Sequence, residues 1–101
     1  MKLLSNLKCL CNARGVTGDE SEVAAIIYEL ARPYADEILI DALGNIIALK
    51  KGKNSNKRIM VSAHIDEVGF YINYILDDGL LRFTADGIDR RVINGRRVLV
   101  G

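Results

Sequence analysis

One run, Ala63-His64-Ile65-Asp66-Glu67, gathers the residues of this chain best suited to chemistry and contains its single histidine. An imidazole followed two residues later by a carboxylate is how an oriented metal ligand is built. The carboxylate accepts from one ring nitrogen, fixes the tautomer, raises the ring's basicity and leaves the other nitrogen for a metal. Glu67 could bind metal as well, or simply face solvent. A plain structural reading stands beside this one: His64 ends a strand and hydrogen-bonds a nearby carboxylate for stability alone. A catalytic zinc, cobalt or manganese ion requires three or more nitrogen or oxygen ligands and one open position where water is acidified. Taken alone, His64 supplies one.

The elements that must position these residues follow from periodicity. The apolar run Arg58-Ile59-Met60-Val61-Ser62-Ala63 is expected to be the strand that delivers His64 to a loop. Leu3, Leu4, Leu7, Leu10 and Cys11 draw one stripe on a first helix, which ends over Asn12 to Gly15. Thr17 and Glu20 have the spacing of a capping box for a second helix, whose apolar positions are Val23, Ile26, Ile27, Leu30, Ala31 and Tyr34 and which Pro33 terminates. The period then changes. Glu37 to Asp41 and Ile46 to Lys50 flank Leu43-Gly44-Asn45 as a β-hairpin, and Phe70 to Leu76 and Leu80 to Thr84 flank Asp77-Asp78-Gly79 as another. Arg91 to Val100 reads as a third hairpin, cut off in its second strand.

Composition bounds the remaining possibilities. With 101 residues, 50% hydrophobic and 27% charged, the chain fits one modest domain burying about two thirds of its unfolded surface. A formal net charge of +1 gives no global reason for nucleic acid to bind. The Arg90, Arg91, Arg96 and Arg97 cluster is diluted by Asp86 and Asp89 and lacks interleaved aromatics, so it reads as a solvated face. No apolar run reaches the length of a bilayer span, and the first residues are too polar for a signal-peptide core, so a cytoplasmic protein without membrane contact is expected. Cys9 and Cys11 diverge around a helix and read as reduced thiols, with Cys11 on the core face.

Five motifs taken together carry a resemblance that none carries alone. Gly15-Val16-Thr17-Gly18-Asp19-Glu20, Asp41-Ala42-Leu43-Gly44-Asn45-Ile46-Ile47-Ala48, Ser62-Ala63-His64-Ile65-Asp66-Glu67-Val68-Gly69-Phe70, Asp77-Asp78-Gly79-Leu80-Leu81 and Gly87-Ile88-Asp89-Arg90-Arg91 through Val98 occur in the order and spacing of the M42 family of metallo-aminopeptidases. The sequence thus resembles the amino-terminal part of such an enzyme over nearly its whole length. Members carry names such as glutamyl and deblocking aminopeptidase and, in older usage, endoglucanase or cellulase.

The resemblance implies a two-metal site, described with zinc or cobalt, that removes residues from the amino ends of peptides. It implies that His64 binds metal and that Asp66 is the catalytic-site carboxylate that orients it; Glu67 matches the motif without an assigned part. It also implies an α/β fold, in which residues 1–66 begin a zinc-peptidase-like catalytic domain and residues 67–101 begin a β-rich insertion used for subunit association. Family members are roughly three times this long, a size suited to two such domains. The bridging aspartate, the paired glutamates and the other ligands are expected beyond Gly101. An isolated 101-residue chain is therefore expected to be inactive and to bind metal weakly. The alternative is an interaction module, in which unfinished strand edges associate as a homo-oligomer, with strands exchanged between copies.

Overall fold

The two apolar stripes become the two helices, α1 over Lys2–Asn12 and α2 over Ser21–Ala31, in a computed structural model that describes residues 2–54 and 56–101. Val23 on α2 is 5% exposed, and it is the one buried hydrophobic side chain among the described residues. The last turn of α2 closes with the Arg32 amide donating to the Tyr28 carbonyl, just before Pro33, which cannot extend the ladder. No described helix is long and apolar enough to cross a membrane.

The capping box does not form. Gly18, at φ +90°, turns the backbone so that the Asp19 amide donates to the Val16 carbonyl, and α2 starts only at Ser21. Glu20 instead accepts from the Gly18 amide, while the Thr17 hydroxyl turns to Asp66. A tight turn occupies the residues that the motif would have wound into the first helical turn.

Two antiparallel hairpins follow. Strands β1 (Glu37–Ile40) and β2 (Ile46–Leu49) pair from Glu37↔Leu49 to Ile40↔Ile46. Their connection is organised by Asp41, whose carboxylate accepts from the Leu43 and Asn45 amides and from the Asn45 side chain, each near 2.9 Å. Such an Asx arrangement lets a side chain satisfy turn amides that have no ladder partner. Strands β3 (Gly69–Ile75) and β4 (Leu81–Asp86) meet across the Asp77-Asp78-Gly79 turn, with Gly79 at φ +84°. A register shift between Ile72 and Tyr74 leaves Asn73 as a bulge, and Phe70 meets Phe83 edge to face at 4.9 Å.

Three expectations are corrected. Residues 58–63 form no strand: Ile59, Met60 and Val61 stand 91, 89 and 90% exposed, with no ladder beside them. Strand propensity acts through a neighbouring strand and a covered face, and this run has neither. The 91–100 region is also no hairpin. Asp89 accepts from the Arg91 amide and pairs with its guanidinium, winding Arg90–Val92 into a 3-10 turn, and no strand follows. Cys9 and Cys11 are both unpaired and exposed, so Cys11 is not a core residue.

Nor does the chain reach the expected burial. Its surface is 9365 Å², against about 5,700 Å² for a compact monomer of this size. Its radius of gyration is 18.0 Å, against about 13 Å. The helices and hairpins carry apolar faces that the described residues do not cover.

The Asp41 turn sets a pH signature. Hydrogen bonds, first from the Asn45 side chain and then from its amide, hold the Asp41 carboxyl below its usual range. Its contribution is therefore fully present above the ordinary carboxylate pKa and is lost as pH falls through the lower folded value. The Leu43 and Asn45 amide resonances should titrate together below about pH 4, and Asp41→Asn should abolish that titration. Amide shifts that move with the bulk of the carboxylates would refute the assignment.

Candidate metal centre

The site begins with a short parallel pairing rather than with a strand end. The Glu67 amide donates to the Gly15 carbonyl at 2.7 Å and the Thr17 amide to the Glu67 carbonyl at 3.2 Å, bridging Val16 to Glu67. Both bonds are made by Glu67, so they fix the end of the loop that follows Asp66 against the turn that leads into α2. Gly69 makes the approach possible. A Cβ there would lie 2.4 Å from Cγ1 of Val16 and 3.0 Å from Cγ2, so only a bare backbone fits.

On this platform the predicted pair comes together. His64 Nδ1 lies 3.0 Å from the Asp66 carbonyl and 3.2 Å from Asp66 Oδ1. The other carboxylate oxygen, Oδ2, accepts from the Thr17 hydroxyl at 2.8 Å. Asp66 is thus divided between two donors, and its carboxyl sits below the ordinary range, first because of the Thr17 hydroxyl, then its own amide and then His64. The His64 side chain is 85% exposed, whereas Asp66 is 36% exposed. With Nδ1 occupied, Nε2 is the nitrogen directed to other partners.

Sequence reasoning missed two members of this group. Thr17 was assigned to a helix cap, and Tyr71 to a strand alone, yet the Tyr71 hydroxyl donates to the Thr17 carbonyl. Their separations from the loop, 49 residues for Thr17 to Asp66, hide the contact from any local pattern. Beside the group lies an open cavity of about 360 Å³, walled by Leu10, Val23 and Ile27 and reached by His64, Asp66 and Glu67. Glu67 engages through its backbone, and its side chain is exposed.

The pair fits the donor side of one metal bond: an imidazole with one nitrogen beside a carboxylate and a carbonyl, on a side chain that is otherwise exposed. No cluster of three or more His, Cys, Asp or Glu side chains suited to a metal is found among the described residues. Among the described residues, His64 could thus offer a metal one nitrogen, with Asp66 beside the other.

Two helices followed by two antiparallel hairpins, with the histidine–carboxylate pair in the segment between the hairpins, make a mixed α/β arrangement consistent with part of a peptidase domain. Residues 44–101 match the family model described as M42 glutamyl aminopeptidase, and the chain belongs to that family. A protein of Acetivibrio thermocellus provisionally named an aminopeptidase is 47% identical over 91% of this chain and 28% of its own length. The lysyl aminopeptidase of Pyrococcus furiosus is 38% identical over 80% of this chain and 23% of its own. Among solved structures, an endoglucanase of Thermotoga maritima superposes with a TM-score of 0.79 at 44% identity, over 85% of this chain and 28% of that one. A TET aminopeptidase of a marine-sediment thaumarchaeon gives 0.75 at 40% identity, over 83% and 23%. The chain spans about a quarter of the length of these relatives.

The bare position at Gly69 carries a stability prediction. Gly69→Ala should cost about 1–3 kcal/mol by overpacking against Val16, and Val16→Ala placed with it should restore most of that loss. Thermal melts of the single and double variants test this coupling. Equal melting of Gly69→Ala and the parent chain would show that the parallel pairing does not depend on close approach.

Proposed function

We propose that this chain contributes the first metal ligand, His64, and its orienting carboxylate, Asp66, to an aminopeptidase site that removes residues from the amino ends of peptides. The observation that carries this reading is the engagement of His64 Nδ1 by the carbonyl and carboxylate of Asp66, which supports Nε2 as the ligand atom. Zinc or cobalt, two ions per site, suits an imidazole and carboxylate donor set. When bound, such ions acidify water and polarise the scissile carbonyl. The part played by this chain is narrower. Asp66 holds the ring proton at Nδ1, and His64 offers Nε2 as a neutral donor. Residues 1–66 form the catalytic side of the proposed division and residues 67–101 the start of a β-rich insertion. A cytoplasmic setting agrees with two unpaired thiols.

One imidazole neither holds a metal tightly nor completes a hydrolytic site. The purified 101-residue chain should show no turnover of aminoacyl anilides with added zinc or cobalt, and its weak zinc binding should fall at least tenfold in His64→Ala. Robust turnover abolished by His64→Ala would overturn the view that further ligands are required. Zinc binding indifferent to His64→Ala would overturn the ligand assignment.

A second reading is favoured by the exposure of Ile59, Met60 and Val61, three consecutive apolar residues with no strand beside them. Such a run invites pairing with another copy, giving a homo-oligomer with strands exchanged. Sedimentation velocity should show concentration-dependent association that Val61→Lys reduces. A monomer at every accessible concentration would remove this reading.

A further inference from the structure

We infer that Thr17 is the positioning residue of the His64–Asp66 pair: its hydroxyl holds one Asp66 oxygen so that the other keeps the ring proton of His64 on Nδ1 and presents Nε2 outward. This inference rests on the metal-ligand reading of His64 and extends it to a residue from another segment.

The geometry supplies three reasons. First, the two carboxylate oxygens have separate tasks, Oδ2 accepting from Thr17 at 2.8 Å and Oδ1 lying 3.2 Å from His64 Nδ1, where it adds to the Asp66 carbonyl at 3.0 Å, the acceptor that stays in place when Thr17 is changed. Without the hydroxyl, a carboxylate on a short side chain can rotate about its Cβ–Cγ bond, and neither oxygen is committed to the ring. Second, the Thr17 backbone is itself held on both sides. Its amide donates to the Glu67 carbonyl, and its carbonyl accepts from the Tyr71 hydroxyl. Third, a β-branched side chain has few χ1 choices, so a fixed backbone also fixes the direction of the hydroxyl.

Val, which keeps the branched shape and loses the hydroxyl, and Ser, which keeps the hydroxyl and loses the methyl, separate positioning from mere packing. The readout is the tautomer of the neutral His64 ring, from its nitrogen chemical shifts at about pH 8, above the ordinary imidazole pKa. The parent chain and Thr17→Ser should hold the proton on Nδ1. Thr17→Val should move the population toward the Nε2–H form and weaken the zinc-induced shift of His64 about tenfold, the lower end for losing an outer partner of a ligand. Tyr71→Phe, which leaves the hydroxyl of Thr17 in place and frees its carbonyl, should produce a smaller change of the same sign, and it keeps the test open should Thr17→Val fail to fold.

An unchanged tautomer in both Thr17→Val and Tyr71→Phe overturns the inference, as does loss of the Nδ1–H form in Thr17→Ser. The two readings fail separately. Tautomer control by Thr17 with zinc binding indifferent to His64→Ala retains the positioning and removes the ligand. Zinc binding lost in His64→Ala but unaltered in Thr17→Val, with the tautomer also unaltered, does the reverse.

Discussion

The arrangement depends on one backbone pairing, that of Gly15 to Thr17 with Glu67. Two hydrogen bonds there join the turn before α2 to the loop before β3. Everything chemical in the chain is hung on that junction. It places the Thr17 hydroxyl beside Asp66, which already meets His64 two residues away, and brings β3 close enough for Tyr71 to reach the Thr17 carbonyl. The junction also explains why two glycines flank it. Gly15 and Gly69 are positions where a Cβ would lie within 2.7 Å of a valine side chain. At such contacts, packing density leaves no room for an added methyl group.

Much of the secondary structure was legible because its causes are local. The α2 stripe, the glycine turns at Gly44 and Gly79 and the apolar runs beside them need only neighbours in sequence, and both hairpins form over nearly the anticipated residues. The misreadings share a different cause. Residues 58–63 have the composition of a strand, but composition cannot provide the adjoining strand that would make them one. Arg91 to Val100 alternates well enough for a hairpin, yet the Asp89 carboxylate captures Arg91 at its amide and guanidinium and bends the chain first. The pair His64 and Asp66 was visible as a triplet. Thr17 was not, since its hydroxyl could satisfy a helix terminus nearby or a carboxylate 49 residues away, and only tertiary geometry decides between them.

A chain that spans about a quarter of its relatives carries strand and helix faces suited to burial, while a single hydrophobic side chain is buried among its described residues. Turns and ladders satisfy their own backbone groups, but helices of 11 residues and two-stranded hairpins are marginal in water without a covered apolar face. Their apolar residues contribute stability in proportion to the area removed from water, which here is small.

The long reach of the Gly15–Glu67 junction has a kinetic meaning. The hairpins close over a few residues, whereas Thr17 and Glu67 are 50 apart. On loop-closure entropy alone that contact costs about 2 kcal/mol more than a turn of five. Hairpins and helices form on the microsecond scale, so the Thr17–Asp66–His64 arrangement is assembled after the pieces it joins. The contact of His64 with Asp66, two residues away, can form with those pieces, whereas the Thr17 hydroxyl reaches Asp66 only when the junction closes, so the last partner to arrive is the one that divides the carboxylate between two donors.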